Sequence, residues 1–214
     1  MKNFKLHKNS QKRIYESNKI YFITLITQDR YNFFNEKIFN QIFINEIDIC
    51  KYFYNFKLYG YVILLDHIHL MLNPLNNNIS DIIKFVKRHA SRDINILIKE
   101  NFEQNHEGED RDLRLQKSNK NRFKNLNKIQ KQKILWMEEK MKDYNFIFQN
   151  KYNHNIYPKK FKWQKSFRDH IIRNEVDFKK HIEYIEKNPY KHKIVKPNED
   201  YRWTLMKKTK QFYS

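Results

Sequence analysis

Leu64-Leu65-Asp66-His67-Ile68-His69-Leu70-Met71-Leu72 is the stretch on which the reading of this chain turns. Its flanks, Tyr61 to Leu65 and Leu70 to Leu72, are apolar enough for a strand buried on at least one face. Side chains two apart on a strand share a face, so His67 and His69 point one way and Ile68 and Leu70 the other. Two neutral imidazoles side by side on a rigid strand make half of a metal site. An isolated His-x-His pair is more often two unrelated histidines, so partners must come from elsewhere in the chain.

Upstream, Tyr21-Phe22-Ile23-Thr24-Leu25-Ile26-Thr27 is rich in β-branched and aromatic residues and reads as a first strand. From Lys37 to Phe53 the apolar residues Phe39, Ile42, Phe43, Ile47, Cys50 and Phe53 follow helical spacing. Lys57 to Leu64 is a second strand with Gly60 as a bulge candidate, and Asp66-His67 connects tightly into a third, ending near Asn73-Pro74. Ser80 is expected to cap a second helix that carries Ile82, Ile83, Val86, Ala90, Ile94 and Leu97 on its apolar side. Lys84, Lys87, Arg88 and Arg92 fall mainly on its other faces with no acid among them, a stripe suited to phosphate as much as to water. A last helix is expected over Glu175 to Lys187, stopped by Pro189, with Phe178, Ile182 and Ile185 as its apolar stripe. The order implies an α+β fold, a ferredoxin-like antiparallel sheet with helices on one face. Only the short Lys193-Ile194-Val195 offers itself as a last strand.

Residues 100–159 differ, being highly charged to about Asn127, then apolar enough for a helix from Ile134 through Phe148. We read them as an insertion, partly disordered or helical, in a single domain formed by 1–99 and 160–206, with a basic tail over 207–214. The chain has 43 Lys and Arg against 24 Asp and Glu, a formal charge of +19, which points to a polyanionic partner. Hydrophobic residues at 40% and aromatics at 16% supply a core, so this is not a basic disordered tail. The single cysteine, Cys50, excludes a disulfide framework and reads as a core residue. The N-terminus has no signal-peptide apolar region and no run spans a membrane, so a soluble, cytoplasmic protein is expected.

On the last helix His181, Tyr184 and Asn188 stand at i, i+3 and i+7, a stripe that projects a hydroxyl beside an amide oxygen. His67-Ile68-His69 after an apolar strand resembles the His-hydrophobic-His motif of single-tyrosine (HUH-type) transposases. Trp163-Gln164, Asp169-His170-Ile171-Ile172-Arg173, Tyr184-Ile185 and Asn188-Pro189 together are similar to the REP-associated tyrosine transposases. Tyr21-Phe22-Ile23-Thr24 with Arg30 and Phe34 resembles the family's first strand and loop, and Lys87-Arg88, Ala90-Ser91-Arg92 and Ile94-Asn95 its second helix.

The resemblance implies an HUH-type nuclease fold in which His67, His69 and Asn188 bind a divalent metal and Tyr184 is the nucleophile. It implies a metal-dependent single-stranded DNA endonuclease and strand transferase, a transposase that works through a 5′-phosphotyrosine. Two nitrogens and an amide oxygen leave positions open for a phosphate oxygen, and their intermediate softness suits Mg²⁺ or Mn²⁺. A tyrosine, with an ordinary pKa of about 10, needs nearby positive charge or a base to attack at neutral pH. The partner implied is single-stranded or hairpin DNA, contacted through Lys84, Lys87, Arg88, Arg92, Lys165 and Arg173. A nucleoid-associated monomer is expected, with a dimer as the alternative. His170 and His181 are candidates to support the metal ligands from behind. His7, His106 and His154 read as solvated, His89 and His192 as touching phosphate or water, and Trp163, Phe167 and Trp203 as core.

Two other functions compete. A domesticated, non-catalytic nucleic-acid-binding protein on the same fold would explain the charge but not the retained tyrosine and histidines. A nucleotide hydrolase of the histidine-triad kind needs a third histidine where Met71 stands.

Overall fold

The computed structural model describes residues 15–103, 160–196 and 199–206, together with Lys131, Leu135 and Glu139. The N-terminal arm to residue 14, most of the expected insertion and the 207–214 tail lie outside the described residues. So does the insertion helix expected from Ile134, save Leu135 and Glu139, which are helical.

The chain runs β1 (Tyr21–Ile26), two short 3-10 turns (Gln28–Arg30 and Phe33–Asn35), α1 (Lys37–Tyr54), β2 (Lys57–Ile63), β3 (His67–Asn73) and α2 (Ile79–Glu103). Later in the chain come β4 (Arg168–Ile171), α3 (Glu175–Lys191) and β5 (Thr204–Met206). The five strands pair antiparallel in the order β4-β1-β3-β2-β5. The α+β class and the antiparallel sheet are as expected, but the helices are not on one face: α1 and α2 pack on one side and α3 on the other, because both faces of the central strands are apolar. β3 lies at the sheet's centre and is buried along its whole length.

Alternation along the strands divides the molecule. Tyr21, Ile23 and Leu25 of β1, Leu58, Tyr61 and Ile63 of β2, and Ile68, Leu70 and Leu72 of β3 face α1 and α2 in the larger core. Burying each of the larger side chains contributes about 1.5–3 kcal/mol. Cys50 lies in this core, and burial pushes its thiol pKa up. On the opposite face Val62, Leu64 and Met71 pack against Phe178 and Ile185 of α3. The third helix thus covers the face to which His67 and His69 belong.

Three local expectations need correction. The α2 cap is Asn78, not Ser80: the Asn78 side chain accepts from Ser80 N–H at 2.8 Å, and its carbonyl accepts from Asp81 and Ile82. The helix begins earlier because Ile79 is itself fully buried. Pro189 does not stop α3, which continues to Lys191. In the last turn a proline forfeits only its own N–H bond, and Pro189 is buried where it stands. Lys193-Ile194-Val195 is no strand. The edges are instead the four-residue β4 and the three-residue β5, both too short to show period-2 patterning.

Gly60 does sit at a β-bulge, where the β2–β3 register shifts between Leu58 and Gly60. Its need for glycine is close approach: a Cβ there would lie 2.9 Å from the Leu205 carbonyl oxygen of β5.

Candidate active site

β1, β3 and α3 build the site. His67 and His69 are 6% and 4% exposed, on the α3 side of the sheet. Asp66 precedes them at the tight turn, where its carboxylate hydrogen-bonds His67 Nδ1 and accepts from Arg30 at 2.9 Å. With Nδ1 engaged, His67 keeps Nε2 as its outward lone pair, the arrangement that orients a metal-binding imidazole. His69 stands opposite Thr24 in register, and its Nδ1 lies 2.9 Å from Thr24 Oγ1. Its Nε2 is buried and has no hydrogen-bond partner among the described residues.

From α3, Tyr184 sets its ring centroid 5.1 Å from that of His69 and remains 37% exposed. Asn188, one turn on, is almost fully buried. Its Nδ2 donates to the Tyr184 carbonyl at 3.2 Å, while Oδ1 is buried without a partner among the described residues. Phe22 of β1 is the shared wall, its ring 5.1 Å from His69, 4.6 Å from His181 and 5.8 Å from Tyr184.

The electrostatics keep the imidazoles neutral. Burial pushes the His69 pKa down to about 3, with His67 and His192 adding to the effect. His67 is lowered by burial too, against the pull of Asp66. For Asp66 burial acts to raise the pKa, but hydrogen bonds from His67 and Arg30 outweigh it and hold the carboxylate below its usual range. Two neutral ring nitrogens and an amide oxygen, two of these three atoms buried and unpartnered, are a donor set that could hold a divalent ion.

A family model described as "Transposase IS200 like" matches residues 15–109, the part of the chain that carries β1, the histidine strand and α2. The match covers less than half of the chain. Among solved structures it is similar to a REP-associated tyrosine transposase bound to a REP hairpin, at 18% identity and a TM-score of 0.55, over 92% of this chain and 81% of that one. That likeness extends the shared fold to the part carrying Tyr184. A candidate transposase from Deinococcus radiodurans is similar at 16% identity and a TM-score of 0.34, over 52% of this chain and 96% of that one. No curated protein matches.

Of the four residues singled out as nucleophile and metal ligands, Tyr184 lies against His69, His69 lies beside His67, and Asn188 stands one turn from Tyr184 on α3. The expected basic contacts divide. Lys84, Lys87, Arg88 and Lys165 line one open cleft of about 360 Å³ between α2 and the 163–167 segment, with Trp163 and Phe167. Lys87 Nζ donates to the Gln164 carbonyl at 2.8 Å, and burial lowers its pKa. Arg92 is turned to Asp93, 2.6 Å away, and Arg173 stands apart at the start of α3. A neighbouring cleft of about 700 Å³ is lined by Gln28, Asp29, Arg30, Trp163, Gln164 and Lys165. Arg30 therefore joins that cleft to the Asp66–His67 pair.

Sequence reasoning gave Asp66, Thr24 and Lys191 no role in the site and read His192 as touching phosphate or water. Lys191 Nζ stands 4.9 Å from the Tyr184 ring centroid, and the His192 ring is 5.2 Å from that of His67. Tyr184, Asn188 and His192 recur every four residues, a signal that the misread helix stop at Pro189 concealed.

Proposed function

We propose that the chain is a metal-dependent single-stranded DNA nicking and joining enzyme that uses Tyr184 as its nucleophile. The observation that carries this reading is the approach of Tyr184 to His69 and of His192 to His67, with Asn188 between them on a helix far along the chain from the histidine pair. His67, His69 and Asn188 would hold Mg²⁺ or Mn²⁺, which when bound supplies Lewis-acid polarisation of the scissile phosphate and neutralises its charge.

The chain's own residues supply the rest. Tyr184 Oη attacks phosphorus; a 5′-phosphotyrosine bond forms, the P–O3′ bond breaks, and the departing oxygen takes a proton to become a 3′-hydroxyl. A 3′-hydroxyl attacking the phosphotyrosine reverses the step and joins strands without an external energy source. Lys191 places positive charge beside the ring that carries the developing phenolate, and electrostatic preorganisation of this kind is where most catalytic advantage arises. The half-exposed Tyr184 is reachable by a strand lying on the surface, while buried Asn188 fixes the helix turn beneath it.

The substrate is single-stranded or hairpin DNA, a reading supported by the REP hairpin bound to the similar solved transposase and by the +19 charge. The basic cleft of Lys84, Lys87, Arg88 and Lys165 would follow its backbone, with residues 1–99 and 160–206 acting as one catalytic domain.

The test is a denaturing gel of the protein with labelled single strands tiled across the DNA flanking its own gene, in Mn²⁺ or EDTA. A protein-linked band that needs metal and vanishes in Tyr184→Phe is expected. Tight binding with no adduct under any metal would reject catalysis in favour of a domesticated binding protein.

A further inference from the structure

A second cluster of ligand-type side chains lies on the same face of the sheet, beyond Phe22. His170 of β4 stands opposite Phe22 in register, and so shares its face. Asp177 and His181 sit one turn apart on α3. His170 Nε2 is 2.9 Å from Asp177 Oδ2, and His181 Nδ1 is 3.1 Å from Asp177 Oδ1. One donor atom from each of the three falls within a 4.8 Å sphere of separations, and no other group of three or more His, Cys, Asp or Glu among the described residues does so. The two imidazoles stack at 4.8 Å and 19°.

We infer that His170, Asp177 and His181 form a second metal site, distinct from the His67/His69/Asn188 set, that takes a borderline transition ion of the Zn²⁺ or Co²⁺ class. A tetrahedral ion with bonds of about 2.0 Å has ligand–ligand edges of about 3.3 Å. The two His–Asp separations, each to a different oxygen of Asp177, are close to that, and the set of one atom per residue lies within 4.8 Å and closes onto the ion by side-chain rotation. Two nitrogens and a carboxylate from two elements leave a fourth position open. His170, with 39% of its side chain exposed, gives the ion a way in. Binding replaces the His170 Nε2 contact with the Asp177 carboxylate and the 2.8 Å hydrogen bond of His181 Nδ1 to the Asp177 carbonyl: each of these nitrogens gives up its proton to present a lone pair, and the other nitrogen of the ring carries one. The Arg173 backbone N–H, 3.1 Å from Asp177 Oδ2, and the Asn174 side chain, which caps Asp177 N–H at 2.9 Å, hold the carboxylate's segment in place.

The consequence is mechanical. β4 is a short edge strand, and α3 carries Tyr184 and Asn188. An ion shared between them clamps the helix to the sheet edge through His170, and His181 transmits the constraint to Phe22 and the site beside it.

The inference stands whether or not the chain cuts DNA, and its test is independent of cleavage. Untagged, chelator-stripped protein is titrated with Co²⁺, and binding is followed by visible d–d absorption and by calorimetry. A His67→Ala/His69→Ala variant should still bind one equivalent and gain thermal stability with it. Adding Asp177→Asn, which keeps the size and an acceptor oxygen, or His170→Ala should weaken that binding at least about tenfold. The inference is overturned if the His67→Ala/His69→Ala protein, shown folded by circular dichroism, binds no Co²⁺. It is equally overturned if binding persists undiminished in both additional variants.

Discussion

Acidification should weaken this fold through His69 in particular. In the folded chain burial holds its pKa at about 3, whereas an unfolded histidine titrates at about 6.5. The folded state therefore refuses a proton that the unfolded state accepts below about pH 6.5, so the stabilisation is complete above that pH. It is lost progressively as pH falls from there toward 3. At pH 5 the unfolded chain gains about 1.5 pH units of protonation free energy, or about 2 kcal/mol at 1.36 kcal/mol per unit. His67, lowered in the same direction, adds to the loss. Asp66 and Asp177, held low by their partners, keep their contribution at pH 5 and surrender it only near pH 4 and below. Urea unfolding followed by tryptophan fluorescence at pH 7 and pH 5, in EDTA, measures the effect. His69→Gln retains a polar side chain beside Thr24 but cannot titrate, so its stability should fall by about 2 kcal/mol less than the wild type's over that interval. Equal losses in the two proteins would refute the account of a buried, neutral His69.

Gly60→Ala should cost about 1–3 kcal/mol in the same urea assay, because the new methyl meets the Leu205 backbone oxygen rather than a yielding side chain. Asn188→Ala should raise the Mn²⁺ concentration needed for the Tyr184 adduct at least about tenfold while costing about 1 kcal/mol of stability, since the amide makes one backbone hydrogen bond. Lys191→Ala should slow adduct formation about tenfold with single-strand affinity reduced less, measured by single-turnover gels against filter binding. Asn174→Ala, which removes the α3 cap, should lower stability by about 1 kcal/mol.

The sequence alone determined the features that rest on local pattern. Helical spacing from Lys37 marked α1, and alternation with β-branched residues marked β1 to β3. Strand parity put His67 and His69 on one face, and helix periodicity put Tyr184 and Asn188 on another. These are short-range consequences of 2.0 and 3.6 residue repeats, which a single chain displays without reference to anything distant. What only the tertiary structure decided was long-range. β4 and β5 are four and three residues long, below the length at which patterning shows, and exist because β1 and β2 offer them free edges. Continuation of α3 through Pro189 depends on a buried seat for the proline ring, and it carries Lys191 and His192 to the site. The pairing of His170 with Asp177 and His181 likewise follows from where an edge strand meets a helix. Contacts between elements far apart in sequence are set by which faces pack, and packing is a property of the assembled core.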